Sequence, residues 1–157
     1  SQTDPLFASP VQLTDVIGMP MTVESNSSPC VVDWDDDTKN DILLGSGDGG
    51  ILLYLREGAQ SDDILFSSPQ PIQIDGTSLK LESNSMPFVV DWDSDGGKDL
   101  LIGDDGGSLH LYINSVVKGD PDLMGGEKID RDEHAQVLEK DLAIPYFIGM
   151  SMMELNM

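Results

Sequence analysis

The sequence predicts an all-β fold made of antiparallel four-stranded β-propeller blades, arranged as an incomplete propeller of about 2.7 blades per chain. Two observations carry this: an internal repeat at an offset of 58 residues, and short apolar runs bounded by Gly, Asp and Asn within each repeat. Residues 26–56 read NSSPCVVDWDDDTKNDILLGSGDGGILLYLR, and residues 84–114 read NSMPFVVDWDSDGGKDLLIGDDGGSLHLYIN, aligned without a gap. Pro29 matches Pro87, Asp33-Trp34-Asp35 match Asp91-Trp92-Asp93, Gly45 matches Gly103, and Tyr54 matches Tyr112. Upstream, residues 6–10 (LFASP) resemble 65–69 (LFSSP) at an offset of 59, so one residue was gained or lost in the connecting segment.

The elements follow in order. Runs 30–34, 42–45 and 51–55, with a fainter one at 72–74, have the length and the β-branched and aromatic content of strands rather than helices. Residues 46–50 (SGDGG) and 104–108 (DDGGS) are the hairpin connections, where Gly and Asp supply positive φ angles. Trp34 and Trp92 alternate with inward-facing apolar positions and read as core, as do Tyr54 and Tyr112; Cys30 reads as a small buried hydrophobe. The segment 118–140 is the least repeat-like, a loop with an outer strand or a helical turn around 132–139. The chain is thus one repeat domain over 1–157, with units near 26–83 and 84–141 and the start of a third at 142–157.

In that third unit Pro145-Tyr146-Phe147-Ile148 keeps the character of Pro87-Phe88-Val89-Val90, but four methionines within 150–157 replace the acidic loop. Successive ATG codons read one base out of frame become GAT, which encodes aspartate. The reading is a frameshifted third repeat, set against an unrelated apolar tail, and the nucleotide sequence decides between them.

Composition excludes several classes. With 29 Asp+Glu against 8 Lys+Arg the net charge is −21, so nucleic acid is not expected as a partner. No stretch reaches the roughly 18 to 20 apolar residues of a membrane span. One cysteine excludes an internal disulfide and a thiolate zinc site. The start at Ser1 fits removal of a signal peptide or a boundary in a longer chain. Asn26-Ser27-Ser28 is a glycosylation sequon by form alone.

The acids concentrate in two loops. Asp33, Asp35, Asp37 and Asp41, and again Asp91, Asp93, Asp95 and Asp99, occupy positions 1, 3, 5 and 9 of a nine-residue loop. Such carboxylates repel one another by ~1 kcal/mol per pair at 4 Å in water and ~4 kcal/mol at an effective dielectric of 20, and a cation removes that cost. Alternate carboxylates with the position-7 carbonyl, that of Lys39 or Gly97, offer the hard oxygens that calcium takes in flexible geometry; magnesium demands a stricter octahedron. His110, on a strand, and His134, in the irregular segment, do not compete for a softer metal.

The pattern DWDxDxxxDLLxG, followed by a Gly-rich turn and LYxN, resembles the FG-GAP/VCBS class of calcium-binding propeller repeats. That class includes integrin α chains, fungal propeller lectins and bacterial secreted proteins, some of them polysaccharide lyases. The resemblance implies two Ca2+ sites, one at Asp33, Asp35, Asp37, Asp41 and the Lys39 carbonyl, the other at Asp91, Asp93, Asp95, Asp99 and the Gly97 carbonyl. Loop position 6 is usually glycine in the class, as at Gly96, whereas the first loop has Thr38.

Closed propellers need 4 to 8 blades, so the chain is expected either to self-assemble as a homo-oligomer or to be a fragment of a larger propeller. The favoured function is a non-catalytic, calcium-stabilised module of an extracellular or surface protein that binds carbohydrate or protein. The alternative is a fragment of a propeller-fold polysaccharide lyase or hydrolase. Catalytic residues are not identified: with 8 dispersed basic residues and 2 histidines, no base stands beside a cation that would neutralise a uronate.

Overall fold

A computed structural model describes residues 9–58 and 64–114, and the backbone of 123–129. Twelve strands succeed one another: β1 (Ser28–Val32), β2 (Asp41–Gly45), β3 (Ile51–Tyr54), β4 (Arg56–Glu57), β5 (Leu65–Phe66), β6 (Gln70–Pro71), β7 (Gln73–Ile74), β8 (Thr77–Ser78), β9 (Met86–Val90), β10 (Asp99–Gly103), β11 (Leu109–Asn114) and β12 (Leu123–Ile129). There is no helix among the described residues. The fold is all-β and antiparallel, with two four-stranded sheets ordered β1-β2-β3-β6 and β9-β10-β11-β12.

The sequence repeat is a register repeat. Val32 pairs with Asp41 and Ser28 with Gly45; one repeat on, Val90 pairs with Asp99 and Met86 with Gly103. Ile42 faces Tyr54 and Gly45 faces Ile51, as Leu100 faces Tyr112 and Gly103 faces Leu109. Apolar residues alternating at period two fix this register, because a one-residue slip would turn every buried side chain to the opposite face. The hairpins close as expected on glycine, with φ of 87° at Gly49 and 80° at Gly107, and the Gly49 and Gly107 amides donate to Ser46 O and Asp104 O. The acids in these turns do not adopt positive φ.

The fourth strands differ between the sheets. β6 is two residues long and pairs through Leu52–Pro71 and Leu53–Gln70; Pro71 has no amide to donate, and one further bond to β3 follows, from Ile72 N to Ile51 O at 3.0 Å. β12 is seven residues long, the outer strand expected within 118–140. The fainter apolar run at 72–74 is not the fourth strand of the sheet: Gln73 and Ile74 pair with Thr77 and Ser78 in a small hairpin whose turn, Asp75-Gly76, has positive φ at both residues.

The two sheets bury a common core of Trp34, Leu43, Ile51, Leu53, Ile72, Leu79, Leu100, Ile102 and Tyr112. A second cluster of Met21, Ile42, Leu44, Tyr54 and Phe66 lies on the other face of the first sheet, where Pro29 and Val31 stay exposed. The connectors entering each sheet are equivalent, since Met21 N donates to Leu13 O at 2.9 Å and Leu79 N donates to Ile72 O at 2.8 Å. Leu13 and Ile72 are offset by 59 and Met21 and Leu79 by 58, which places the one-residue length change inside that turn.

Two core expectations need correction. Trp34 is 4% exposed, but Trp92 is 48% exposed, because the first sheet packs against the second while the second has no described partner on its far side. Cys30 is half-buried against the common core, and its counterpart Phe88 is 58% exposed for the same reason. Tyr54 and Tyr112 are buried as expected, which pushes both phenols up from their ordinary pKa. The third unit, its frameshift and the 132–139 turn lie outside the described residues.

Candidate metal centres

Both acidic loops fold by the same local hydrogen bonds. In the first, Asp33 Oδ2 accepts from Thr38 N (3.0 Å), Asp35 Oδ1 from Asp37 N (3.2 Å) and Asp37 Oδ1 from Lys39 N (2.9 Å). In the second, Asp91 Oδ2 accepts from Gly96 N (3.1 Å), Asp93 Oδ1 from Asp95 N (3.1 Å) and Asp95 Oδ1 from Gly97 N (2.6 Å). Positions 4 and 6 carry positive φ in both: Asp36 at 61° and Thr38 at 71°, Ser94 at 64° and Gly96 at 90°.

The position-9 acids serve a different purpose from the others. Asp41 is fully buried and its two oxygens accept from Trp34 N and Arg56 N, both at 2.7 Å. Asp99, also fully buried, accepts from Trp92 N (2.6 Å) and Asn114 N (2.9 Å). Asp41 therefore ties the loop's start to the start of β4, just past β3, and Asp99 ties it to the last residue of β11. Burial pushes the Asp41 carboxyl up, and the two amides oppose that shift.

Of the ten residues expected from sequence, the structure brings carboxylate oxygens of Asp33, Asp35 and Asp37 within 4.8 Å of one another, and likewise those of Asp91, Asp93 and Asp99. Asp41 lies outside the first group and Asp95 outside the second. Lys39 supplies more than a carbonyl: its ammonium forms an ion pair with Asp37, holding that carboxyl below and the amine above their ordinary pKa values. Gly97 at the same position leaves the second loop without such an internal cation. There, desolvation and the neighbouring Asp95, Asp99 and Asp91 push the Asp93 carboxyl up.

One atom tests the fit of a cation. Asp33 Oδ1 is buried and has no hydrogen-bond partner among the described residues, and a buried carboxylate oxygen left so costs about 1 to 3 kcal/mol or more. Carboxylate oxygens of Asp35 and Asp37 converge with one of Asp33, and these are hard oxygens suited to calcium. The residues present fit the ion.

Sequence reasoning missed how the loops connect to the rest of the fold. Lys98 donates to Trp34 O at 3.1 Å and forms an ion pair with Asp36, so the second loop braces the first. Asn26 Nδ2, the atom a glycan would take, donates to Asn84 Oδ1 at 2.8 Å, and Asn84 Nδ2 to Asp105 Oδ2 at 2.8 Å. Asn at the same position of both repeats was the available signal. His110 Nε2 lies 3.0 Å from Asp104 Oδ2, within its own sheet.

No family model, no curated protein and no solved structure matches the chain.

Thr38 offers a direct test of the loop. A β-branched residue at φ 71° carries roughly 1 to 2 kcal/mol of backbone strain, whereas glycine there costs about 0.5 to 1 kcal/mol of chain entropy. Thr38→Gly is expected to stabilise the protein by up to about 1 kcal/mol in urea unfolding. A loss of stability would mean that the threonine side chain makes a contact worth more than the strain.

Proposed function

We propose that this chain is a non-catalytic, calcium-stabilised module of an extracellular or surface protein, built from FG-GAP/VCBS-type repeats as part of a β-propeller, and that it presents its loops to a carbohydrate or protein ligand. The observation that carries the reading is the orphaned Oδ1 of Asp33, a member of a converging group of carboxylates. The two loops share the same hydrogen-bond pattern although their sequences differ at positions 4, 6, 7 and 8, which supports a common purpose for them.

In this reading Asp33, Asp35 and Asp37 hold one ion with the Lys39 carbonyl and Asp41, while Asp91, Asp93 and Asp99 hold the other with Asp95 and the Gly97 carbonyl. Bound calcium supplies charge neutralisation and locks the turn between the first two strands of each sheet. Sites of this kind fill at the calcium concentrations found outside cells, which supports the extracellular placement. Among the described residues His110 is engaged by Asp104 and no cluster of base and cation stands ready for polysaccharide cleavage, so the binding reading is preferred to the enzyme fragment.

Thermal unfolding with and without calcium tests this. At about 10 mM calcium, a site with a dissociation constant near 0.1 mM adds about 2.7 kcal/mol. At roughly 2 to 4 °C per kcal/mol for this chain length, each site raises Tm by about 5 to 11 °C over excess chelator. The absence of a shift, or an equal one with magnesium, would overturn the calcium assignment.

A further inference from the structure

The interface that joins the two sheets is repeated, one half at each end of the described fold. On the first sheet Leu43, Ile51 and Leu53 are buried in the common core. Their counterparts are Leu101, Leu109 and Leu111, and this face of the second sheet also carries the exposed Phe88, Met86 and Trp92. Conversely, Pro87 is buried and Val89 packs against the common core, whereas their counterparts Pro29 and Val31 are exposed, Val31 by 61%. Around Pro29 lies an open cavity of about 220 Å³ lined by Leu13, Met21, Ile42 and Leu44. Of these, Met21, Ile42 and Leu44 are the counterparts of Leu79, Leu100 and Ile102 in the internal joint. One end thus offers apolar projections and the other the surface that receives them.

The close approach in the internal joint has its own vacancy in the repeat. A Cβ on Gly45 would meet Ser85 O at 2.0 Å and Pro87 Cδ at 2.7 Å, so glycine is required where the sheets meet. A Cβ on Gly103 would meet nothing beyond its own sheet, the nearest atom being Met86 Cε at 3.4 Å. The charges also agree. Two ion pairs cross the internal joint, Lys98–Asp36 and Lys80–Asp48. Their counterparts are Asn40 with Ser94 and Thr22 with Gly106, all uncharged, so an equivalent joint leaves neither of these pairs half-formed.

We propose that copies of this chain join head to tail, the outer face of the second sheet of one copy packing on the outer face of the first sheet of the next, in the geometry that joins the two sheets within the chain. The occupant of the open face is a second copy, and the contact is heterologous, closing into a ring or continuing as a filament. The argument rests on repeat equivalence and stands whether or not the loops bind calcium.

Sedimentation velocity of the full chain across a concentration series tests it. The wild type is expected to form species larger than a dimer, and Gly103→Ala to weaken association at least about tenfold while Tm at concentrations where the chain is monomeric is unchanged. Two substitutions at exposed positions keep the test open should Gly103→Ala fail to fold. Val31→Glu and Phe88→Glu are each expected to remain monomeric alone, and their mixture to form a particle of two copies and no larger, since only one complementary joint remains. A wild type that is monomeric at all concentrations overturns the proposal, as does assembly that survives Val31→Glu, which would indicate second sheets pairing with each other.

Discussion

Asp41→Ala and Asp99→Ala are each expected to lower the unfolding free energy by about 2 to 4 kcal/mol in excess chelator, because each strands one buried and one part-buried backbone amide at about 1 to 3 kcal/mol for a fully buried one. The amides are those of Trp34 and Arg56 in the first sheet and of Trp92 and Asn114 in the second. Asp93→Ala provides the contrast. Asp93 is exposed and its neighbours repel it, so its loss should change little in chelator and remove much of the calcium-induced shift. Urea unfolding of the three variants under both conditions separates the roles. A loss under about 1 kcal/mol for Asp41→Ala in chelator would mean that the carboxylate does not organise the strands, and equal losses for Asp93→Ala in both media would make it an ordinary turn former.

Gly45→Ala is expected to cost about 3 kcal/mol or more, at the upper end of overpacking penalties, because the added methyl meets backbone rather than a side chain that can swing away. The obstructing atom is Ser85 O, held by Ser85 N donating to Ser46 O at 3.0 Å and by Ser85 Oγ donating to Gly50 O at 2.6 Å. Relief therefore requires the sheets to part, which exposes Leu43 and Ile51. Gly103→Ala, the same substitution one repeat later, is expected to change the stability of the isolated chain by less than about 1 kcal/mol. Thermal unfolding of the pair at low protein concentration is the check, and similar losses in both would mean that the sheet-to-sheet approach at Gly45 is looser than described.

Much of the fold was legible in the chain because its signals are local. The apolar runs at 42–45 and 51–55 sit on either side of a Gly-rich turn, and period-two alternation then leaves one register for β2 and β3. The acidic loop was legible for a similar reason, since aspartates at alternate positions cap neighbouring amides whatever the rest of the fold does. In the first sheet the fourth strand was not legible, because β6, Gln70–Pro71, has no apolar alternation to mark it. The Asp75-Gly76 hairpin had a readable signal, the Asp-Gly pair favoured in two-residue turns.

The acid at position 9 shows the division within the site. Spacing places Asp41 and Asp99 with the other loop carboxylates, but whether an oxygen faces a cation or a backbone amide depends on where the chain runs at the end of the third strand, and the structure brings Arg56 N, just beyond β3, and Asn114 N, the last residue of β11, to these carboxylates. Likewise, Trp34 and Trp92 are identical in local sequence, Asp-Trp-Asp, yet one is buried and the other exposed. By itself the sequence determined the first three strands of each sheet, their register and the Gly-rich turns between them, because these depend on residues a few positions apart. Only the tertiary structure decided which face of each sheet is covered, because alternation tells which side chains share a face and says nothing of what lies across from it.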